Sequence, residues 1–182
     1  KIIEDNSNGL WVVPYQDASY SSNLENHYVT NKWGDTQIGI SYPSKVHVIG
    51  GFFKGQEGGE GVWAKSIRVI GYCDGEQIQI TNWFDIDSFP SWFAIDLFNV
   101  DRIVFEAIPS YNGRGWYAMD DLTFIPKSQN EDEILDTVIL DFEDCPLNQD
   151  LNKSQYGGLI WEQGSGINNS DFENNIFNSS NI

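Results

Sequence analysis

The chain has 182 residues, which is enough for one domain with its own hydrophobic core. Its 27 Asp and Glu residues outnumber the 10 Lys and Arg residues, giving a formal net charge of −17. This charge disfavours nucleic acid and anionic membranes as partners. No run approaches the roughly 18 apolar residues of a transmembrane helix, so the sequence predicts no membrane insertion.

Short apolar or alternating runs, separated by turn residues, recur along the first two thirds of the chain and predict β-strands. They cover residues 9–13, 36–40, 45–49, 50–54, 62–72, 77–81, 92–96, 102–107 and 116–124. Residues 15–36 read as a long polar loop with room for one short strand. Asp74-Gly75 lies between two alternating runs and predicts a hairpin. Strands spaced by about ten residues, without a helical period before residue 127, predict an all-β, two-sheet antiparallel sandwich.

The last third of the chain has a different organisation. Residues 127–136 form an acidic, charged linker, and a further strand is predicted at residues 137–144. Residues 156–162 are followed by an Asn- and Ser-rich stretch that ends at Ile182. We therefore divide the chain into a β-sandwich body (1–126), a linker (127–136) and a C-terminal strand segment (137–182).

The body also carries several motifs in a definite order between Val46 and Phe124. They are Gly50-Gly51-Phe52-Phe53, Ile67-Arg68-Val69-Ile70-Gly71-Tyr72, Asp74-Gly75, Trp92-Phe93-Ala94-Ile95-Asp96, Val100-Asp101-Arg102-Ile103-Val104-Phe105 and Trp116-Tyr117-Ala118-Met119-Asp120-Asp121-Leu122-Thr123-Phe124. In this order they resemble secreted bacterial, calcium-stabilised jelly-roll β-sandwich modules that are similar to carbohydrate-binding domains. The resemblance implies a jelly-roll fold and an extracellular or cell-surface location.

The resemblance places the first strand of the domain at the wrong end of the chain. In such modules the first strand reads FDD or FED, and YGGLxW follows it. Here the equivalents are Phe142-Glu143-Asp144 and Tyr156-Gly157-Gly158-Leu159-Ile160-Trp161. The first and last strands of a jelly roll often lie side by side, so the segment could close its own body.

Two further arrangements fit the same displaced strand. The segment could be the severed start of a second repeat, which would leave strand edges unpaired. It could instead complete the sheet of a neighbouring copy, and such head-to-tail exchange propagates into a filament or ring. The sequence favours this exchange, with the chain itself as partner. A monomeric carbohydrate-binding module closed by its own segment is the alternative.

Four carboxylates are candidate calcium ligands. In the jelly-roll modules that the chain resembles, carboxylates from the first and last strands can share one structural calcium ion. They are Asp120 and Asp121 before the last body strand, and Glu143 and Asp144 at the end of the segment strand. Calcium takes six to eight oxygen ligands, so carbonyl groups near Gly157 or a water would have to contribute. The alternative is that one Asp of the pair caps a turn and the other faces water.

Aromatic residues in or beside loops are candidates for sugar binding, because an exposed ring can stack on a sugar face. The candidate residues are Trp33, Trp83, Trp92, Tyr111, Arg114 and Trp116, with Arg114 as a hydrogen-bond donor. Trp92 and Trp116 belong to alternating runs, which favours core packing for both. A polysaccharide is therefore a second possible partner.

The sequence offers little for catalysis, and we assign no catalytic residue. Of the two histidines, His27 lies in a polar loop and His47 in a strand whose pattern predicts that it faces solvent. None of the common hydrolase or nucleotide-binding motifs occurs in the sequence. Neighbouring carboxylates on a strand point to opposite faces, so such a pair cannot flank one bond. Cys73 and Cys145 could form a disulfide or remain as two thiols. The sequence thus predicts a non-catalytic extracellular structural or adhesive subunit.

Overall fold

A computed structural model describes residues 9–14, 27–32, 34–55, 63–110, 115–128, 135–144 and 155–162. The strands are β1 (Gly9–Pro14), β2 (His27–Lys32), β3 (Gln37–Gly55), β4 (Ser66–Cys73), β5 (Glu76–Ile80), β6 (Phe84–Asp85), β7 (Ser91–Ile108), β8 (Tyr117–Pro126), β9 (Val138–Leu140), β10 (Gln155–Tyr156) and β11 (Leu159–Glu162). Within these ranges the chain has no helix with the length and apolar character needed to span a membrane. The predicted all-β class is confirmed.

The strands form one sheet in which every ladder is antiparallel. Its main order is β1-β2-β8-β3-β7-β4-β5. Four short strands lie off this path: β9 pairs with β8, β6 with β4, β11 with β3, and β10 with β11. The short strand that the sequence allowed within residues 15–36 corresponds to β2, and the rest of that loop up to residue 26 lies outside the described residues.

Two long strands organise the sheet, where the sequence had indicated several short ones. β3 has 19 residues and β7 has 18, and they pair with each other across register shifts between Ser41 and Gly50. Residues 39–41 of β3 have β11 as their other neighbour, whereas residues 46–55 have β8. Bulges bend a strand without ending its ladder, so the predicted breaks are irregularities within continuous strands.

The inward-facing residues of these strands form one hydrophobic core. Fully buried members from the body include Ile38, Ile40, Phe53, Ile67, Ile103, Phe105, Tyr117, Met119 and Leu122. Each lies on a strand whose neighbouring residues face the other way, which is the period of two expected for a strand. The core therefore follows the alternation visible in the sequence.

The C-terminal segment contributes directly to this core. Leu140, Phe142, Leu159 and Trp161 are at most 6% exposed and pack in the same cluster as the body residues. β9 pairs with residues 122–124 of β8, and β11 pairs with residues 39–41 of β3. In this structure of a single chain, the segment completes the chain's own sheet.

Two tight turns have the conformation that their sequences require. Asp74 and Gly75 have φ angles of 53° and 83°, and they connect β4 to β5 as the predicted hairpin. Gly157 and Gly158 have φ angles of 60° and 74°, and they connect β10 to β11. A Cβ atom on Gly157 would lie 2.4 Å from Leu140 Cδ2, so this turn must also be free of a side chain to pack on β9.

Candidate functional site: an aromatic and polar cleft

A bulge beside β4 places Trp83 on the outer face of the sheet. Thr81 is held on β4 by two hydrogen bonds to Val69: its backbone N–H donates to the Val69 carbonyl, and its Oγ1 accepts from the Val69 N–H, both at 2.9 Å. The ladder resumes at Phe84, opposite Ile67. Two residues therefore face one position of β4, which redirects the second of them, Trp83, outward.

Trp83 lies against a cationic side chain and still keeps a large open surface. The guanidinium carbon of Arg68 is 4.5 Å from the centre of the indole ring. The indole nevertheless remains 41% exposed. The contact restricts both side chains, so the ring is held in place before any ligand arrives.

The polar side of the site is a hydrogen-bonded row across three strands. Arg68 on β4 donates from Nε to Glu106 Oε2 at 2.6 Å, and its Nη2 lies 2.5 Å from the same oxygen. Gln37 on β3 donates from Nε2 to Glu106 Oε1 at 3.3 Å. The register explains the row, because Glu106 of β7 lies opposite both Arg68 and Gln37.

Sequence analysis found Trp83 but missed Arg68, Glu106 and Gln37. Arg68 lies between the buried residues Ile67 and Val69, so the strand alternation already pointed it outward. The cross-strand register that joins the three polar residues is a tertiary feature, and the sequence gives no local signal for it.

These residues border an open cleft of about 380 Å³ at the end of the sheet. Its lining consists of Thr36, Gln37, Arg68, Trp83, Glu106, Ala107, Ile108 and Pro109. The cleft thus combines an aromatic face with fixed hydrogen-bond donors and acceptors. This combination suits a ligand with one apolar face and a polar rim.

Of the other predicted sugar-binding residues, the structure describes Trp92 and Trp116, and neither lines the cleft. Trp33, Tyr111 and Arg114 lie outside the described residues. Trp116 is half-buried and forms an isolated bridge with Trp63.

Trp92 differs from the core packing that its alternating run favoured. It faces outward and is 41% exposed, whereas its neighbour Phe93 enters the core. Its ring packs over Gly50, where a Cβ atom would lie 2.6 Å from Cζ2, and its centre is 5.2 Å from that of Phe52. Core packing was therefore the wrong interpretation for Trp92. The alternating pattern correctly places Trp92 and Phe93 on opposite faces of the strand, but Phe93 is the residue that faces the core.

The four predicted calcium ligands lie at the same end of β8 and β9, because these strands are antiparallel with Leu122 opposite Leu140. Asp120 is 1% exposed, and its Oδ1 accepts from the Asp121 N–H at 2.8 Å. Asp144 Oδ1 accepts from the Tyr156 hydroxyl at 2.5 Å. The backbone N–H of Glu143 donates to Asp141 Oδ1 at 3.2 Å. Calcium binding at these residues stays a prediction.

A different group has the closest set of possible metal ligands among the described residues. Ligand atoms of Cys73, Asp74 and Asp101 lie within 4.8 Å of one another at the β4–β5 turn. Asp74 already forms an ion pair with Lys45 at 2.9 Å, and its backbone N–H donates to Asp101 Oδ2 at 2.7 Å. The hydrogen bonds from Lys45 and then Cys73 lower the pKa of Asp74 below its ordinary value.

The contacts of Asp74 with Lys45 and Asp101 therefore give this group of residues a structural role, which is to stabilise the β4–β5 turn. Cys73 is a free thiol, and Cys145 lies outside the described residues.

Comparison with known proteins returns no relative. No family model, no curated protein and no solved structure matches the chain.

Proposed function

We propose that the chain is a non-catalytic extracellular module with a jelly-roll sandwich fold, and that it binds polysaccharide in the cleft at Trp83. The observation that carries this proposal is the exposed indole, held by Arg68 at 4.5 Å beside a row of hydrogen-bonding side chains. The strand just before the displaced FED motif, β9, and the end of the YGGLxW motif, β11, both pair with the body, and this supports the jelly-roll fold.

Sugar rings match this chemistry better than other common ligands do. The C–H groups on one face of a pyranose ring pack on an aromatic face, while its hydroxyl groups remain at the rim. Arg68, Glu106 and Gln37 present donors and acceptors at that rim, and hydrogen bonds to charged groups are the stronger ones. The net charge of −17 favours a neutral polysaccharide over a polyanion.

The same lining supports binding without catalysis. Most glycosidases use two carboxyl groups placed on either side of the bond that they cleave. Among the described residues, the lining of the cleft contains one carboxylate, Glu106, and its charge is balanced by Arg68 at 2.5 Å. We therefore expect bound polysaccharide to remain intact.

The test is binding to neutral β-glucan, xylan and mannan by affinity electrophoresis, followed by calorimetry with the retained polysaccharide. Replacing a ring at the centre of a binding site by alanine typically costs 2 kcal/mol or more, so Trp83→Ala should weaken binding by about 30-fold. Trp92→Ala is the matched control, because both indoles are 41% exposed but Trp92 lies outside the cleft.

Retention of none of these polysaccharides by the unaltered protein would contradict the proposal. So would retention that Trp83→Ala leaves unchanged. Release of reducing ends from the bound polysaccharide would contradict the non-catalytic part alone.

A second candidate function is assembly by strand donation between copies, and one observation favours it. The C-terminal segment has internal contacts of its own: Phe142 stacks on Tyr156 with centres 5.5 Å apart, and Trp161 Nε1 donates to the Tyr156 carbonyl at 3.1 Å. A segment with internal contacts can dock as a unit, on its own body or on that of a neighbour. Exchange would give a head-to-tail polymer.

Light scattering coupled to size exclusion distinguishes the two outcomes. A closed monomer has the chain mass of 20.7 kDa at all concentrations, whereas exchange gives higher multiples that increase with concentration. A body truncated after residue 128 should recover thermal stability when a peptide of residues 135–162 is added. Failure of both assembly and recovery would refute strand donation without affecting the sugar-binding proposal.

A further inference from the structure

A single side chain connects the aromatic part of the cleft to its polar part. The guanidinium carbon of Arg68 lies 4.5 Å from the centre of the Trp83 ring. The same guanidinium donates from Nε to Glu106 Oε2 at 2.6 Å, and its Nη2 lies 2.5 Å from that oxygen. All three residues line the cleft. Arg68 therefore holds the ring and the carboxylate in place together.

The charge of Arg68 lies against the two groups in the cleft that attract cations. An aromatic face attracts a cation through its negative quadrupole, and indole does so most strongly. A carboxylate attracts a cation directly. The guanidinium contacts the indole of Trp83 and forms an ion pair with Glu106. A cationic ligand would therefore be repelled by Arg68 at both of these groups.

The net charge of the chain acts in the opposite direction. At −17, the protein as a whole attracts cationic chains and repels anionic ones. Overall charge therefore cannot make the cleft prefer a neutral sugar over an amino sugar. Among the residues that the structure describes, the cleft lining contains one basic side chain, Arg68. Discrimination against cationic sugars by charge has to come from this side chain.

We infer that Arg68 is the specificity-determining residue of the cleft, and that it restricts the ligand to uncharged sugar units by excluding cationic amino sugars. This inference rests on the proposed function. The side chains of Arg68 and Glu106 are 30% and 24% exposed, so a ligand in the cleft can reach both. The hydroxyl groups of a neutral sugar can donate to the carboxylate and accept from the guanidinium.

The experiment compares one neutral and one cationic ligand by calorimetry at low salt. The neutral ligand is the hexasaccharide of the neutral polysaccharide that the unaltered protein retains. The cationic ligand is the β-1,4-linked glucosamine hexasaccharide, at about pH 5.5, where its amino groups are protonated and carboxyl groups remain ionised. We expect the unaltered protein to bind the neutral ligand more tightly.

Arg68→Met removes the charge but keeps a long, unbranched side chain. It should increase affinity for the cationic ligand by about tenfold, because Glu106 and the indole face are then free to attract it. It should weaken binding of the neutral ligand by about threefold, because the ring of Trp83 is no longer held in place. The two affinities therefore change in opposite directions, which a merely structural defect would not produce.

Three controls identify charge as the cause. Combining Arg68→Met with Glu106→Gln should reduce the gain in affinity for the cationic ligand, and added salt should reduce it as well. Lys127→Met also removes one positive charge, at an exposed position outside the cleft, and should leave the preference unchanged. Arg68→Lys restores the charge and should again exclude the cationic ligand. Thermal unfolding curves show that each variant is folded.

The results that would overturn the inference differ from those that would overturn the proposed function. If Arg68→Met changes the ratio of the two affinities no more than Lys127→Met does, Arg68 does not determine specificity, while Trp83-dependent binding still supports the proposed function. The same holds if the unaltered protein binds the cationic ligand as tightly as the neutral one. If the unaltered protein binds no neutral polysaccharide, the proposed function and the inference both fail.

Discussion

Replacement of Trp161 by alanine tests whether the C-terminal segment belongs to the core. The indole is 1% exposed, in the cluster that contains the body residues, and its Nε1 donates to the Tyr156 carbonyl at 3.1 Å. A Trp side chain buries about 200 Å², which corresponds to about 5 kcal/mol at 25 cal/mol per Å². Measured Trp→Ala changes in cores cost about 3–5 kcal/mol. We therefore expect Trp161→Ala to lower the free energy of unfolding by about 4 kcal/mol.

The assay is urea and thermal unfolding followed by tryptophan fluorescence and circular dichroism. For a chain of this size, about 4 kcal/mol corresponds to a decrease in Tm of about 12 °C. Ile160→Ala is the control, because Ile160 is the neighbour of Trp161 on β11 but faces outward and is 41% exposed. If Trp161→Ala costs no more than Ile160→Ala, the segment does not pack in the core in solution and the reasoning is refuted.

Three further changes test local features of the fold. Gly157→Ala should lower the free energy of unfolding by about 2 kcal/mol, because the added Cβ would lie 2.4 Å from a leucine side chain. Gly158→Ala should lower it by about 1 kcal/mol, because Gly158 has a positive φ angle but open space around it. Equal values for the two variants in urea unfolding would contradict this prediction. In carboxyl NMR titrations the pKa of Asp74 should lie below its ordinary value and should rise in Lys45→Met; an unchanged pKa in the variant would refute Lys45 as the cause of the shift. The stability that this ion pair contributes should be present above the pKa of Asp74 in the unfolded chain and should be lost as the pH falls through its lower pKa in the folded chain. Calcium added to chelator-treated protein should raise Tm, and less so in Asp144→Asn; no heat of binding and no shift would reject the predicted site.

Local patterns were sufficient to predict the position of most strands and the Asp74-Gly75 turn. Asp74-Gly75 needs positive φ angles at both residues, and the sequence signal for that turn is strong. Buried and exposed positions in the first part of β7 also follow the period of two, with Phe93, Ile95 and Leu97 buried between exposed residues. These features depend on neighbours within a few residues, which a sequence displays directly.

Features set by distant contacts could not be predicted in the same way. The continuity of β3 through its bulges depends on the ladder with β7, whose paired residues are 38 to 69 positions apart in the sequence. The residues that line the cleft with Trp83 include Arg68 of β4, Glu106 of β7 and Gln37 of β3, so the sequence could suggest an exposed ring but not the cleft around it. The outward position of Trp92 depends on Gly50, which leaves space for the ring on a different strand.

The C-terminal segment and the cleft share one strand, and this links the two proposals physically. β11 pairs with β3 at residues 39–41, and the cleft residue Gln37 lies two positions before that ladder. Without β11, this end of β3 would keep β7 as its described partner and would lose the packing of Trp161 behind it. The hydrogen bond from Gln37 to Glu106 crosses the ladder of β3 with β7, so its geometry depends on how firmly β3 is held. The strand segment, whether supplied by the same chain or by a neighbour, therefore stabilises the part of the sheet on which sugar binding is proposed.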